Sequence, residues 1–498
     1  MKNQVLTFVN HASFHVTNAQ TVLLVDPWVE GPVFNNGWSL LDNSTSNAGL
    51  VKELDRLHRD TFIWFSHEHP DHFSVPFIKR LKQDFARKVT LLFQHTKDKR
   101  VVTYLRNNGF SVIECAAGVP VCLDNDMAIT VYPHADGDSY CLITCAGRHI
   151  LNLNDCAINS AELCRDVRRR LPARAHIDVL MTQFGYANWV GNPFEPELRR
   201  SAADEKLQRI KLQIAAFAPT LTIPFASFVT FSSIENNYLN DHQNSVGQLA
   251  RWAARSPSTG SIRFMHPGGK FDLDHDTPAT TVRRSELAIA HWERLASQHA
   301  ELLPPEAAVP PAQVRAAVDK YQAAVRSNLL WLPLLLERSG LIKPLRIYLP
   351  DLSMTIQVSY VSGYTELPVS GPHDISMTSP SAVFLFKNEY GFNTTHVNGR
   401  FRTSGSGGNG GSSGGNIGGG GRSGASGRSD RNDASVNATG DIALARFSRF
   451  FMPQNLARQG YGVQHPVATV RYLTANVLGR LQRSLAEVQR RMTADRVK

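Results

Sequence analysis

Three histidines and one aspartate fall within six positions in Ser66-His67-Glu68-His69-Pro70-Asp71-His72, directly after the apolar run Thr61-Phe62-Ile63-Trp64-Phe65. That run has the β-branched and aromatic make-up of a buried strand. On a loop leaving such a strand, alternate residues turn inward together. His67 and His69 can then share one cation while Asp71 and His72 face a second. Imidazole and carboxylate donors suit Zn, Fe or Mn rather than a soft thiolate site. A polar surface loop is the competing reading, and the HxHxDH spacing behind a strand speaks against it.

The surroundings of this loop read as an α/β domain over residues 1–290. Runs at 21–25, 61–65, 89–93, 127–132, 140–144, 149–153 and 221–223 read as strands, and 202–217 reads as a helix stopped by Pro219. Residues 304–402 form a second, accessory module: a helix over 313–336, then β-rich runs at 355–361 and 382–386, giving a small α+β domain. An appended β-rich module of this kind commonly serves as a subunit interface, so self-association into a homo-oligomer is an expectation. The Gly, Ser and Asn tract 403–440 cannot bury enough apolar surface to order itself and reads as a disordered linker. Over 441–498, Val470, Leu473, Val477, Leu481, Leu485 and Val488 recur at helical spacing, giving a basic amphipathic helical tail.

Charge separates partner classes. The chain has 53 basic and 43 acidic residues, a net charge of +10, and from Asp441 onward there are ten basic side chains against three acidic. Most of the excess therefore sits in the tail. The body shows no interleaving of basic and aromatic residues, so nucleic acid is not an expected partner. The longest apolar run, 329–336, is far short of the roughly 18 residues of a membrane span. The first residues lack the apolar core of a signal peptide, which points to the cytoplasm. None of the six cysteines lies in a CxxC or CxH arrangement, so the thiols are expected to be reduced and no internal Rieske cluster is expected.

The histidine loop resembles that of the metallo-β-lactamase fold superfamily, an αβ/βα sandwich with a dinuclear metal site at one edge. The resemblance implies further site residues. Asp26, after Leu23-Leu24-Val25, would orient the metal loop from behind the ligands; His134 would be the third ligand of the first metal; Asp155 would be the bridging carboxylate. Several blocks are similar to one branch, the CMP-N-acetylneuraminic acid hydroxylase family. These are His11-Ala12-Ser13, Asp26-Pro27-Trp28 with Gly31-Pro32 and Gly37-Trp38, His149-Ile150-Leu151-Asn152 with Asp155-Cys156, Pro224-Phe225-Ala226-Ser227-Phe228, and Pro267-Gly268-Gly269.

This sequence departs from the pattern twice. The hydroxylases carry a Rieske iron–sulfur domain, so electrons here would have to come from a separate electron-transfer protein. The last histidine of hydrolytic members falls where this chain has Pro224, which leaves the second metal short of a ligand. His266, then His242 and Glu235, are the candidates for it. His266-Pro267-Gly268-Gly269-Lys270 also reads as a phosphate nest with Lys270 as counter-charge, and Ser227, Glu235, Asn236 and Asn237 read as substrate hydrogen-bonding groups. Two functions follow. One is an oxygenase, with Asp71 and Asp155 at a dinuclear iron centre, hydroxylating an N-acyl sugar nucleotide or related small, anionic metabolite. The other is a zinc hydrolase of a phosphodiester, amide or lactone.

Overall fold

The structure, a computed structural model, describes residues 4–298, 302–404 and 442–458. Residues 405–440 of the expected linker and 459–498 of the expected helical tail lie outside the described residues. The chain divides into two compact units, residues 1–305 with 397–399, and residues 306–396 with 400–498.

The first unit opens with strands β1 (Val5–Asn10), β2 (Ser13–Thr17), β3 (Thr21–Val25) and β4 (Trp38–Leu40). Then come β5 (Asp60–Phe65), β6 (Val89–Gln94), β7 (Ser111–Cys115), β8 (Pro120–Cys122), β9 (Met127–Pro133), β10 (Ser139–Cys145) and β11 (Arg148–Asn152). The last are β12 (Val179–Gln183), β13 (Leu221–Phe225), β14 (Val229–Phe231) and β15 (Lys270–Asp272). They form a seven-stranded sheet, β15-β1-β2-β3-β5-β6-β7, a six-stranded sheet, β13-β12-β11-β10-β9-β8, and a short β14-β4 ribbon.

Alternation along the strands sorts the side chains into layers. In β3 and β5, Val22, Leu24, Ile63 and Phe65 face α1 (Asn47–Arg56), α2 (Val75–Asp84) and α3 (Arg100–Asn107), meeting Leu50, Leu54, Phe77, Leu81 and Leu105. The opposite residues, Leu23, Val25 and Trp64, join one core with Val131, Ile143, Leu151, Leu180 and Ile223 of the second sheet. That core continues into α4 (Ala161–Arg170) and α5 (Pro196–Phe217) through Cys164, Val167, Ile210 and Phe217. Strands buried on both faces carry no polar alternation, as their all-apolar sequences show. The result is an αβ/βα sandwich, two sheets face to face with helices on the outer sides, the layering that the sequence resemblance implies.

Register brings the chemistry to one edge. β3, β5, β6 and β7 run parallel, as do β11, β12 and β13. Their carboxyl ends are followed by Asp26, by the Ser66–His72 loop and by Asn154-Asp155, which is the edge where open α/β sheets place their ligands. Pro224 sits within β13, at the end of its sheet, where a residue without an N–H is tolerated.

The second unit packs α6 (Pro311–Leu329), α7 (Leu332–Arg338) and α8 (Ser379–Lys387) with a five-stranded sheet built on Leu345–Leu349 and Met354–Ser359. Two expectations are corrected here. The helix over 313–336 is two helices, because Leu330 turns left-handed (φ 51°) and Pro333 lacks the N–H that would carry the ladder on. The run 382–386 is helical rather than β. Asp351 accepts from Ser379 N and Oγ at the start of α8, with Pro380 in its first turn, and Ala382, Leu385 and Phe386 then bury one face. Among the described residues, no helix is long and apolar enough to cross a membrane.

Leu24 is fully enclosed between β2, β5 and the α1–α3 layer. Leu24→Ala is expected to destabilise this unit by about 2–5 kcal/mol, read as a lower urea midpoint by circular dichroism.

Candidate metal centre

The centre is organised by a carboxylate that does not itself join it. Asp26 is fully buried at the end of β3, in the left-handed region (φ 42°). It accepts from Ser66 N (2.7 Å), Ser66 Oγ (2.7 Å), His72 Nδ1 (2.9 Å) and Asn154 Nδ2 (3.0 Å). Its bond to Nδ1 leaves His72 Nε2 pointing the other way, within 3.3 Å of both Asp71 Oδ2 and Asp155 Oδ2. His67 is held in the same manner, with Nδ1 on Ser66 Oγ (2.9 Å) and Nε2 turned toward His69 Nδ1 (3.0 Å). Such outer partners fix both ring orientation and tautomer.

Two groups of donors converge: His67, His69 and Asp155, and beside them His11, Asp71 and His72. Asp155 Oδ2 faces both, at 4.0 Å from His67 Nε2 and 3.3 Å from His72 Nε2. His11 Nε2 stands 3.5 Å from Asp71 Oδ2. Both ring nitrogens of His11, His72 Nε2 and Asp71 Oδ1 are buried and make no hydrogen bond. Lone pairs buried together without donors are costly unless a cation binds them, so the residues present fit a pair of divalent ions.

The electrostatics agree. Burial would raise Asp71, but His72 and His11 outweigh it and hold its carboxyl well below the usual range. Asp155 is likewise held down to about 2, burial being outweighed mainly by His72. Burial works against a charged His72 too, and the three carboxylates Asp71, Asp155 and Asp26 still raise it well above 6.5. His67 goes the other way, lowered by burial and by His72 and His69.

The structure brings His67, His69, Asp71, His72 and Asp155 together, with Asp26 behind them. Among the described residues, the other sequence candidates join neither donor group. His134 begins the turn between β9 and β10, its N–H on Asp138 O (2.8 Å), and the acid it presents, Asp138, is the group that approaches, 3.8 Å from His67 Nε2. His266 bonds Pro267 O (2.9 Å) and lies against His291. The Gly268 and Gly269 N–H groups are committed to Phe8 O and His266 O, and Lys270 is exposed, so that turn is no phosphate nest. Ser227 Oγ accepts from Phe184 N and Gly185 N, half-buried Glu235 donates its own N–H to Ser233 Oγ in a local turn, and buried Asn236 ties Gly37 O to Asn398 O.

His11 was not marked as a ligand by sequence. A histidine in the β1–β2 turn carries no metal spacing, and only its left-handed backbone (φ 36°) and its packing against Trp28 aim it at Asp71. That packing also explains the Asp-Pro-Trp and Gly-Pro blocks: Trp28 donates to Gly31 O, where φ is 80°, and its ring meets His11 edge to face. Phe34 in turn links Trp38 to His69. A cavity of about 370 Å³ opens onto the centre, lined by Asp138, Asp155, Gln183, Tyr186, Lys206 and Arg209.

No protein-family model matches this chain. It is 25% identical over 307 residues to the cytidine monophosphate-N-acetylneuraminic acid hydroxylase of Danio rerio, covering 57% of this chain and 48% of that protein. To the hydroxylase of Mus musculus it is 26% identical over 286 residues, covering 54% and 47%. The chain thus spans about half the length of the curated relatives it matches, in agreement with the resemblance drawn from the sequence blocks. Solved structures that resemble it include a possible metal-dependent hydrolase from Veillonella parvula (14% identity, TM-score 0.41, 55% of this chain and 100% of that one). Another is CmlA, a diiron β-hydroxylase from Streptomyces venezuelae (16%, 0.32, 61% and 53%).

Asp26→Asn is expected to weaken metal binding by about 10–100-fold in chelator competition, and His11→Ala to weaken one of two sites selectively. Asp71, Asp155 and Asp26 favour the charged form of His72, so a cation that binds its Nε2 competes with a proton there, whereas burial favours the neutral form of His67. Zinc addition in weak buffer should therefore release a proton at pH 7, and less as pH rises through the His72 pKa.

Proposed function

We propose that this chain is a dinuclear metal enzyme that hydroxylates a small N-acyl sugar nucleotide or related metabolite, with electrons from a donor outside these 498 residues. The observation that carries the reading is the meeting of two nitrogen and oxygen donor groups at Asp155, in a chain whose curated relatives are hydroxylases. Histidine and carboxylate donors accept iron as readily as zinc, no cysteine joins either group among the described residues, and the hydroxylase relatives are what favour iron here. No CxxC or CxH spacing occurs in the sequence to build a Rieske cluster, which is why the donor is external.

His67, His69 and Asp155 would hold one ion, His11, Asp71 and His72 the other. Bound iron would supply the reduction of dioxygen that hydroxylation requires, a chemistry of the cofactor rather than of side chains. The chain's own part is to fix and to orient. Asp26 locks the His72 ring and, through Ser66, the His67 ring. Gln183 Nε2 donates to Asp155 Oδ1 (3.1 Å), leaving Oδ2 toward the histidines. Gln94 Nε2 and Ser139 Oγ both donate to Ser66 O, tying the metal loop to the turn that carries Asp138. Substrate would enter by the cavity at Asp138 and Asp155.

The test is metal content by mass spectrometry with Mössbauer spectroscopy, on protein made with iron and zinc both available. A coupled pair of irons and oxygen consumption on chemical reduction are expected. A pair of zincs, no oxygen uptake and anaerobic turnover of a phosphodiester, amide or lactone would overturn the reading in favour of hydrolysis.

A further inference from the structure

The wall of the cavity opposite the metal centre is one face of α5. Ala202, Glu205, Lys206 and Arg209 line it at i, i+3, i+4 and i+7, with alanine leaving room at one end. The two cations on this face differ. Arg209 is matched by Glu205, which accepts from its Nε and Nη2 at 2.9–3.1 Å. Lys206 is not matched. Its ammonium donates to the neutral amide of Gln183, at Oε1 (2.8 Å), and no carboxylate lies within ion-pair distance among the described residues. Burial, and secondly Arg209, push it down to about 8.

Glu205 and Asp155 act on this ammonium only through space, without a direct contact, and its one hydrogen-bond partner is a neutral amide, so an anion supplied by a ligand is what would complete it. Gln183 ties this position to the chemistry, since its other amide atom holds Asp155. We propose that Lys206 is the anchor for an oxyanion of the substrate, a carboxylate or a phosphate ester, so that the rest of the substrate lies along the cavity toward Asp155. This deepens the enzyme reading and rests on it. It also relocates the counter-charge from Lys270, which is exposed on β15, to α5.

The experiment uses the full-length protein as purified, with metal content measured in every sample, and titrates it calorimetrically with inorganic phosphate and, separately, with acetate. One of the two is expected to saturate a single site per chain; preference for phosphate marks a phosphoester substrate, preference for acetate a carboxylate. Lys206→Gln should weaken that anion about tenfold, Lys206→Arg should restore it to within about threefold, and Lys270→Gln should bind as the parent does. Absence of saturable binding by either anion, or unchanged binding in Lys206→Gln at unchanged metal content, would overturn the proposal. The latter would place the anion on the metals. Should Lys206→Gln not fold, trinitrobenzenesulfonate labelling of the parent protein decides. Saturating anion should protect the Lys206 peptide, and equal labelling with and without anion refutes the assignment. Failures are separable: anion binding without metal sinks the metal-enzyme reading alone, and metal without anion binding sinks this one alone.

Discussion

A carboxylate with no exposed surface must find its hydrogen bonds inside the protein, and Asp26 finds four of them in groups that the metal centre needs held still. Two come from Ser66, at the start of the histidine loop, one from His72 and one from Asn154, next to Asp155. The desolvation penalty of one buried charge is thereby spread across two sheets. If any of the four donors moved, the carboxylate would lose part of its compensation, so the donors are as fixed as the carboxylate. The ligands inherit that rigidity: His72 Nε2, His67 Nε2 and Asp155 point where they do because their neighbours are bound to Asp26 or to each other.

The elements that could be read from sequence are those with strong local patterning. The runs at 21–25, 61–65 and 89–93 are strands because uninterrupted apolar, β-branched residues suit a sheet buried on both faces, and the structure moves their ends by at most a residue. The HxHxDH loop was legible for the same reason, since its five-residue spacing is local. Residues that meet the site from elsewhere were not. His11 lies in a two-residue turn, Asp138 stands four residues from His134, and Lys206 is one of several charged residues on a long helix whose sequence has no single apolar face. Only the sheet order, which no local pattern specifies, turns its side of α5 into a cavity wall.

Backbone conformation concealed more. His11, Asp26 and Asn154 all take positive φ, at 36°, 42° and 50°, and each is a residue type that tolerates this region better than most. Each stands within two residues of a strand's end and turns its side chain to a group of the centre: His11 to Asp71, Asp26 to Ser66 and His72, and Asn154 to Asp26. Away from the site, the run 382–386 shows the opposite failure: its apolar residues fit strand and helix alike, and a distant carboxylate, Asp351, settled the matter by capping the helix.

The four donors to Asp26 come from sequence separations of 40, 46 and 128 residues. During synthesis, then, the aspartate and the whole histidine loop emerge while the second sheet does not yet exist. Closing the longest of these loops waits on the strand that delivers Asn154 and Asp155. A nascent chain that has released its first seventy-odd residues already carries the histidines of both donor groups, but neither the fourth donor nor the shared carboxylate. The order of events in making this centre is therefore written into where along the chain the two sheets divide.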